Sequence, residues 1–330
     1  MKRLVSALLI FTLLVSFAGC GSANDSKNQP DISSGASPGH EATETSTPQE
    51  ETVNYDFPVT ITDSRGKEIT IEEKPERIIS LMPSNTEILY AIDEGSNIIA
   101  VSDYCNYPED TANKQKLPTG EQMSTEVIIG LNPDLVILGH MTAADDQTNQ
   151  LEEAGIKVIV TEANDLKQTY EVINVLGAVT GKNEEASLLI ENMKKGFEDI
   201  KEKVKDKTPV SVYVEVSPLE YGLWSCGRNT FIQEIIEIIG AKNIFEDIEG
   251  WAAVSEEEVL HRNPDVILTT ASPLTGMEDP AGEIMSRPNW DKINAVKNGK
   301  VIMLDADMAT RPGPRLLDCA EELFTAIYGE

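Results

Sequence analysis

Two stretches decide the fold: STEVIIGLNPDLVI, from Ser124 to Ile137, and SEEEVLHRNPDVIL, from Ser255 to Leu268. They stand a constant 131 residues apart. Ser124 and Ser255, Glu126 and Glu257, Asn132 and Asn263, Pro133 and Pro264, and Asp134 and Asp265 coincide, and five further pairs are both aliphatic. Each stretch reads as one unit. A serine caps a helix of two turns. Asn-Pro stops it, because proline bars the helical conformation in the residue before it. A buried apolar strand follows. Any α/β fold reuses such units, but a constant offset points to two similar lobes. A second correspondence sets the helix opened by Asn85-Thr86 beside the one opened by Asn229-Thr230.

Outward from the repeat, the chain alternates strands and helices. Val59–Thr62 and Glu68–Ile71 flank Ser64-Arg65-Gly66 and read as a hairpin. Strands follow at 77–81, 98–101, 135–138 and 158–160, with helices at 85–92, capped by Ser84 or Asn85, and at 124–131 and 148–154. Past Pro209 come strands at 210–216, 266–270 and 300–304, and helices at 230–239, 255–260 and 314–328. Strands separated by helices imply a largely parallel sheet covered on both faces.

The middle differs. Between Asn183 and Lys205, apolar residues fall at Ala186, Leu189, Ile190, Met193, Phe197, Ile200 and Val204, which is helical spacing. Asn183 is a good N-cap, and Glu184 and Glu185 suit the positive end of the helix dipole. At ~1.5 Å per residue this helix is roughly 35 Å long. Two like lobes around one long helix leave a cleft, the usual place for a small ligand.

The N-terminus carries targeting information. Lys2 and Arg3 precede an apolar run from Leu4 to Ala18, 15 residues, shorter than the ~20 that span a bilayer. This is a secretory signal pattern. It ends in Phe17-Ala18-Gly19-Cys20, which resembles a lipobox with Cys20 as the acylated residue; the alternative is an ordinary signal with an incidental cysteine. Residues 21–54 are Ser, Thr, Gly, Pro, Asn and Glu with almost no large apolar side chain, the composition of a tether. His40 within it reads as solvated.

Of the formal charge of −29, residues 55–330 carry −26, since Lys2 and Arg3 are followed by six acids and Lys27 up to residue 54. Such acidity argues against nucleic acid as a partner. Beyond Cys20 the cysteines are Cys105, Cys226 and Cys319, an odd number with no C-x-x-C, so zinc and dithiol redox chemistry lack local support.

Catalytic constellations are likewise missing. There is no phosphate loop, G-x-G-x-x-G or H-E-x-x-H, and the one G-x-S-x-G match, Gly35 to Gly39, lies in the polar tether and outside the strand–helix pattern that such an elbow needs. His261 closes a helix, where a cation is favoured by the dipole. His140 follows a strand and is a pocket candidate. The reading is not an enzyme, with an extracytoplasmic enzyme on the same scaffold as the remote alternative.

With the signal, the stalk, two α/β lobes and one long helix in place, the chain resembles the class III substrate-binding lipoproteins of ABC importers, which carry iron–siderophores, haem or cobalamin. The segments from Arg77 to Glu87, Val101 to Pro108 and Leu131 to Val136 look like that family. Ser102-Asp103-Tyr104-x-x-Tyr107-Pro108, Trp251 to Ser255 and Arg311 to Arg315 lean toward its cobalamin-binding branch. The resemblance implies an α/β fold of two similar three-layer αβα lobes bridged by one long rigid helix. It divides the chain into a signal peptide (1–19), a lipid-anchored linker (20–54), an N-terminal lobe (55–165), an inter-lobe helical region (166–207) and a C-terminal lobe (208–330).

The resemblance also implies site residues. Tyr104 in the first lobe, and Trp224 and Trp251 in Gly-rich loops of the second, match aromatics that touch a corrin. Asp307 falls on a carboxylate near the corrin amides. His140, Arg228 and Arg311 complete the expected ligand set; Arg228, Arg311 and Arg315 would suit an anionic siderophore or haem propionates, and Arg315 would otherwise support the last helix. Tyr107 and Trp290 read as packing. Gly120 and Gly139 stand where the cobalamin binder carries Trp, which is expected to open the cleft. Glu126 and Glu257 match the acids that dock on the permease, although a first-turn acid is favoured without any partner. The implied partners are an ABC permease dimer with its cytoplasmic ATPase and a small metal-chelate ligand, a corrinoid or an iron chelate. The protein is expected to be a monomer, to hold no resident cofactor or metal of its own, and to be lipid-anchored on the extracytoplasmic face of the membrane.

Overall fold

The computed structural model describes residues 57–271 and 277–329; the signal segment, Cys20 and the tether lie outside the described residues. The strands are β1 (Val59–Thr62), β2 (Glu68–Ile71), β3 (Ile78–Ser80), β4 (Ile98–Ser102), β5 (Gln115–Leu117), β6 (Leu135–Gly139), β7 (Lys157–Thr161), β8 (Ser211–Glu215), β9 (Trp224–Cys226), β10 (Lys242–Asn243), β11 (Trp251–Ala253), β12 (Val266–Thr269) and β13 (Val301–Met303). The helices are α1 (Pro83–Ala91), α2 (Thr125–Gly130), α3 (Asp145–Glu153), α4 (Leu166–Thr180), α5 (Asn183–Val204), α6 (Phe231–Ile238), α7 (Glu256–Arg262), α8 (Pro280–Ser286), α9 (Asn294–Lys297), α10 (Ala306–Thr310) and α11 (Leu316–Tyr328).

The first sheet runs β5-β4-β3-β6-β7 and the second β10-β8-β12-β13, each parallel throughout. The repeat is visible in the register. Leu135 of β6 lies beside Ile78 of β3, and Val266 of β12 beside Val212 of β8. The repeated aspartates tie these strands together. Asp134 accepts from the backbone N–H groups of Glu76 and Arg77, both at 2.9 Å, and Asp265 accepts from the Ser211 hydroxyl at 2.6 Å. Ser124 and Ser255 cap α2 and α7 as expected.

Asn132 and Asn263 end these units in the left-handed region, at φ 48° and 46°, and not as extended residues. Asparagine tolerates that conformation where proline has closed the right-handed one.

Alternate strand residues divide between two faces. Ile78, Leu135 and Ile137 face α1, α4 and α5, whereas Ile79, Val136 and Leu138 face Ile128 of α2 and Leu151 of α3. In the second lobe Val212, Val214 and Leu268 face α5, α6 and α11, and Tyr213 and Ile267 pack with Val259, Ile284 and Trp290. Each lobe is therefore an αβα sandwich. The inner clusters are continuous: Ile88, Leu176, Phe197, Ile235 and Leu323 belong to one buried core. The lobes are joined by packed helices, which leaves no bare hinge between them.

The long helix α5 has 22 residues and buries Ala186, Ile190, Met193, Phe197, Ile200 and Val204. Two glycines allow close approach. A Cβ on Gly177 of α4 would meet the Ala186 Cβ at 2.5 Å, and one on Gly196 would meet Leu317 of α11 at 2.6 Å.

Two expected caps are corrected. Lys182, not Asn183, precedes α5, because α4 runs to Thr180 and Gly181 turns left-handed, leaving only Gly181 and Lys182 between the helices. Neither Ser84 nor Asn85 caps α1; the helix starts at Pro83, whose fixed φ suits a first position, and Ser84 and Asn85 are buried inside it. Among the described residues no helix is long and apolar enough to cross a membrane.

Candidate functional site

Ligands of open α/β sheets bind beyond the carboxyl ends of the strands. The expected site residues lie there in both lobes. β4 ends at Ser102, and the Cys105 N–H bonds back to the Ser102 carbonyl at 3.0 Å. Cys105 is buried with its Sγ 3.2 Å from the hydroxyls of Ser102 and Thr86. This tight turn presents Tyr104, 70% exposed, to solvent. His140 is the first residue beyond β6 and is exposed, and Met141 beside it is 92% exposed.

In the second lobe Trp224 and Trp251 occupy short paired strands, not glycine-rich loops. β9 and β11 are antiparallel, with Ala253 opposite Trp224 and Trp251 opposite Cys226, so both indoles share one face of the ribbon. Trp224 is 42% exposed. Trp251 is half-buried and packs edge-on against Phe231, with ring centroids 5.8 Å apart. Three-residue strands are too short to show a period of two, and the flanking Gly227 and Gly250 made them read as loops.

The densest polar contact joins the lobes. Arg311 follows α10 and donates to Glu87 Oε1 at 2.9 Å, to Asn106 Oδ1 at 2.8 Å and to the Tyr104 carbonyl at 3.2 Å. It also pairs with Asp307 at 2.6 Å, and Asn106 Nδ2 donates to the other oxygen of Asp307 at 2.6 Å. Arg315 grips the same Glu87 through Nε at 2.8 Å and Nη2 at 2.6 Å. Its guanidinium lies 4.4 Å from the centroid of the Tyr107 ring. Tyr107 is thus a half-exposed cation–π partner, while Trp290 is core, with its indole N–H on Glu256 at 2.8 Å. Burial opposes the charge on Arg315, but the hydrogen bonds and charge of Glu87 outweigh it and raise the guanidinium's pKa.

The structure therefore brings Tyr104, Asp307 and Arg311 together and sets Trp224 beside Trp251. Arg228 lies on the exposed continuation of the β9–β11 ribbon, where Glu249 is 3.7 Å away. The expectation that Gly139 opens space is corrected: a Cβ there would meet Met82 Sδ at 2.8 Å, so Met82 fills the position. At Gly120 nothing lies within 4 Å.

Glu87 and Asn106 were not singled out by sequence reading. The available signal for Glu87 was an acid directly before Ile88 and Leu89 in an apolar helix, a place that demands a cation.

Glu126 and Glu257 occupy equivalent exposed positions in the first turns of α2 and α7. The Glu126 backbone N–H and the Ser124 hydroxyl, the latter at 3.0 Å, hold the Glu126 carboxyl below the ordinary glutamate range. Beside Glu257, Glu256 accepts from Trp290, and Glu258 pairs with Arg262 at 3.0 Å.

Among the described residues no nucleophile stands out: Cys105, Cys226 and Cys319 are free and buried, and burial pushes Cys226 and Cys319 up to about 12. Among the described residues no group of three acids, histidines or cysteines is placed to hold a metal.

Comparison with known proteins agrees with this architecture. Residues 78–308 match the family model described as "Periplasmic binding protein". A Bacillus subtilis protein named as an uncharacterized ABC transporter substrate-binding lipoprotein, YvrC, is 36% identical over 98% of this chain and 96% of its own. The vitamin B12-binding protein of Salmonella typhi is 28% identical over 76% of this chain and 90% of its own. A solved structure of a possible iron-binding (periplasmic solute-binding) protein from Staphylococcus epidermidis superposes with a TM-score of 0.67 at 34% identity, covering 78% of this chain and all of that one. These relatives are binding proteins, not enzymes. Two αβα lobes on a helical spine, facing each other across their strand ends, are the class III arrangement, and the chain belongs to the periplasmic binding protein family.

Proposed function

We propose that the chain is the lipid-anchored, extracytoplasmic substrate-binding protein of an ABC importer, and that it captures a corrinoid of the cobalamin type and hands it to a permease dimer driven by a cytoplasmic ATPase. The observation that carries the ligand reading is the pair of exposed aromatics Tyr104 and Trp224, one beyond the strand ends of each lobe. Two flat faces with few rotatable bonds suit a planar macrocycle. The name of the Salmonella typhi relative supports a corrinoid, and that of the Bacillus subtilis relative supports the transporter role and the anchor on Cys20. Tyr104, His140, Trp224, Arg228, Trp251, Asp307 and Arg311 form the proposed ligand surface. Glu126 and Glu257 are the proposed permease contacts, one per lobe.

An iron chelate, ferric siderophore or haem, is the second reading, favoured by the name of the Staphylococcus epidermidis neighbour. The test is co-elution. The purified protein is mixed with cobalamin, cobinamide, haem and ferric siderophores and gel-filtered. A corrinoid colour in the protein peak is the expected result. Haem or siderophore colour alone transfers the assignment to the second reading, and a colourless peak refutes both.

A further inference from the structure

Glu87 holds two arginines of the opposite lobe, Arg311 and Arg315. It is 3% exposed and receives hydrogen bonds from Arg311 and Arg315 on both carboxylate oxygens. Arg311 is further engaged by Asp307, Asn106 and the Tyr104 carbonyl. Asp305 also bears electrostatically on Arg315. Two guanidinium charges thus meet at least two carboxylates in direct contact, inside a folded region that is itself strongly acidic. A paired, oriented guanidinium offers a ligand carboxylate little, because its bidentate edge is already occupied.

We propose that Glu87 is a specificity-determining residue that sets the charge class of the ligand. By neutralising Arg311 and Arg315, it biases the cleft toward metal chelates whose periphery carries amides or hydroxyls and against those that carry carboxylates. The proposal rests on the chelate-binding reading of this cleft and deepens it. Within that reading it favours the amide-fringed corrinoids over haem, whose two propionates would have to displace Glu87 or leave their charge unpaired. The residue acts through the arginines and is not itself required to touch the ligand.

The experiment uses the full chain in detergent as wild type, Glu87→Gln, Asp307→Asn and the charge control Glu321→Gln. Haemin and hydroxocobalamin are titrated separately and followed by absorbance. Glu87→Gln is expected to raise the haemin-to-cobalamin affinity ratio about 10-fold or more, the scale of one uncompensated charge near a partly buried site. Asp307→Asn shifts it in the same direction by less, and serves if Glu87→Gln does not fold. Glu321→Gln leaves the ratio unchanged. A ratio unmoved in both cleft variants, or a wild-type protein that prefers haemin, overturns the proposal.

Citrate provides an arm independent of any metal chelate. It is expected to raise the melting temperature of the cleft variants more than that of wild type or Glu321→Gln. An equal shift in all four proteins overturns the proposal. If neither haemin nor cobalamin binds any variant while citrate still distinguishes them, the chelate reading fails and the charge gate stands. If both bind with an unchanged ratio, the charge gate fails and the chelate reading stands.

Discussion

Glu87 of α1 and Arg315, just ahead of α11, join the two lobes through paired hydrogen bonds of 2.8 and 2.6 Å, although they lie 228 residues apart in the chain. The pair is nearly excluded from water, with side-chain exposures of 2% and 11%. Removing one partner of such a pair leaves a buried charge uncompensated. Arg315→Ala is therefore expected to lower unfolding free energy by about 3 kcal/mol, with Arg311 retaining one contact to Glu87. Denaturant unfolding checks this, and a loss below about 1 kcal/mol would show that the lobes do not depend on the pair.

Gly177 supplies a test of the spine. Alanine normally favours a helix interior over glycine by about 1 kcal/mol. Here the added Cβ meets the Ala186 Cβ at 2.5 Å and the Lys182 carbonyl oxygen at 3.0 Å, neither of which is the end of a flexible side chain. Gly177→Ala is expected to destabilise by about 1–3 kcal/mol in spite of its propensity. Stabilisation would mean that α4 and α5 are not in close contact.

The two aromatics of the proposed ligand surface should separate binding from folding. Tyr104→Ala removes an exposed ring and is expected to change stability by less than about 0.5 kcal/mol. The same change should weaken ligand binding by about 10-fold or more if the ring is a contact of the kind that dominates interfaces. Trp251→Ala, which also removes the edge contact to Phe231, should lose both stability and affinity. Calorimetric melting alongside ligand titration distinguishes the cases.

The adjacent acids of α7 allow docking to be told from structure. Substituting Glu126 and Glu257 together by Arg is expected to leave ligand binding intact and to reduce uptake in cells. Glu256→Ala leaves the buried Trp290 indole N–H without its partner and is expected to cost about 1–3 kcal/mol of stability, with docking retained by folded protein. Unchanged uptake in the double Arg variant would remove the docking role.

Asp265 carries a pH signature. Its hydrogen bond from Ser211 holds its carboxyl below the ordinary value of 3.8; burial opposes that shift, and the Asn294 side chain adds to it. A folded pKa below the unfolded one gives stability that is present above about pH 4 and is lost as pH falls through the folded value. Asp265→Asn should therefore lower the melting temperature at pH 7 and make little difference at pH 2. A constant difference across that range would show that the effect is not due to ionisation.

Much of the fold was legible because its signals are local and repeated. The serine caps, the Asn-Pro stops and the helical spacing from Ala186 to Val204 each follow from short-range physics, and the offset between the repeats carried the two-lobe reading. Legibility ended where a second segment decides the outcome. The start of α5 depends on where α4 stops, and β9 is placed by its pairing with β11 and with Ser217. The site divides in the same way. Tyr104 is placed by its own turn and is readable from the residues around it. The role of Arg311 depends on Glu87 and Asn106, more than 200 residues away, and no local pattern couples them.

The most direct test of the central claim is an absorbance titration of the full chain with hydroxocobalamin, run beside the double variant Tyr104→Ala/Trp224→Ala. The account predicts saturable one-to-one binding by the wild-type protein and a loss of about 100-fold or more in the variant, whose two truncations fall on opposite lobes. Saturable binding that persists unchanged in the variant, or no saturation with this corrinoid at all, would contradict it.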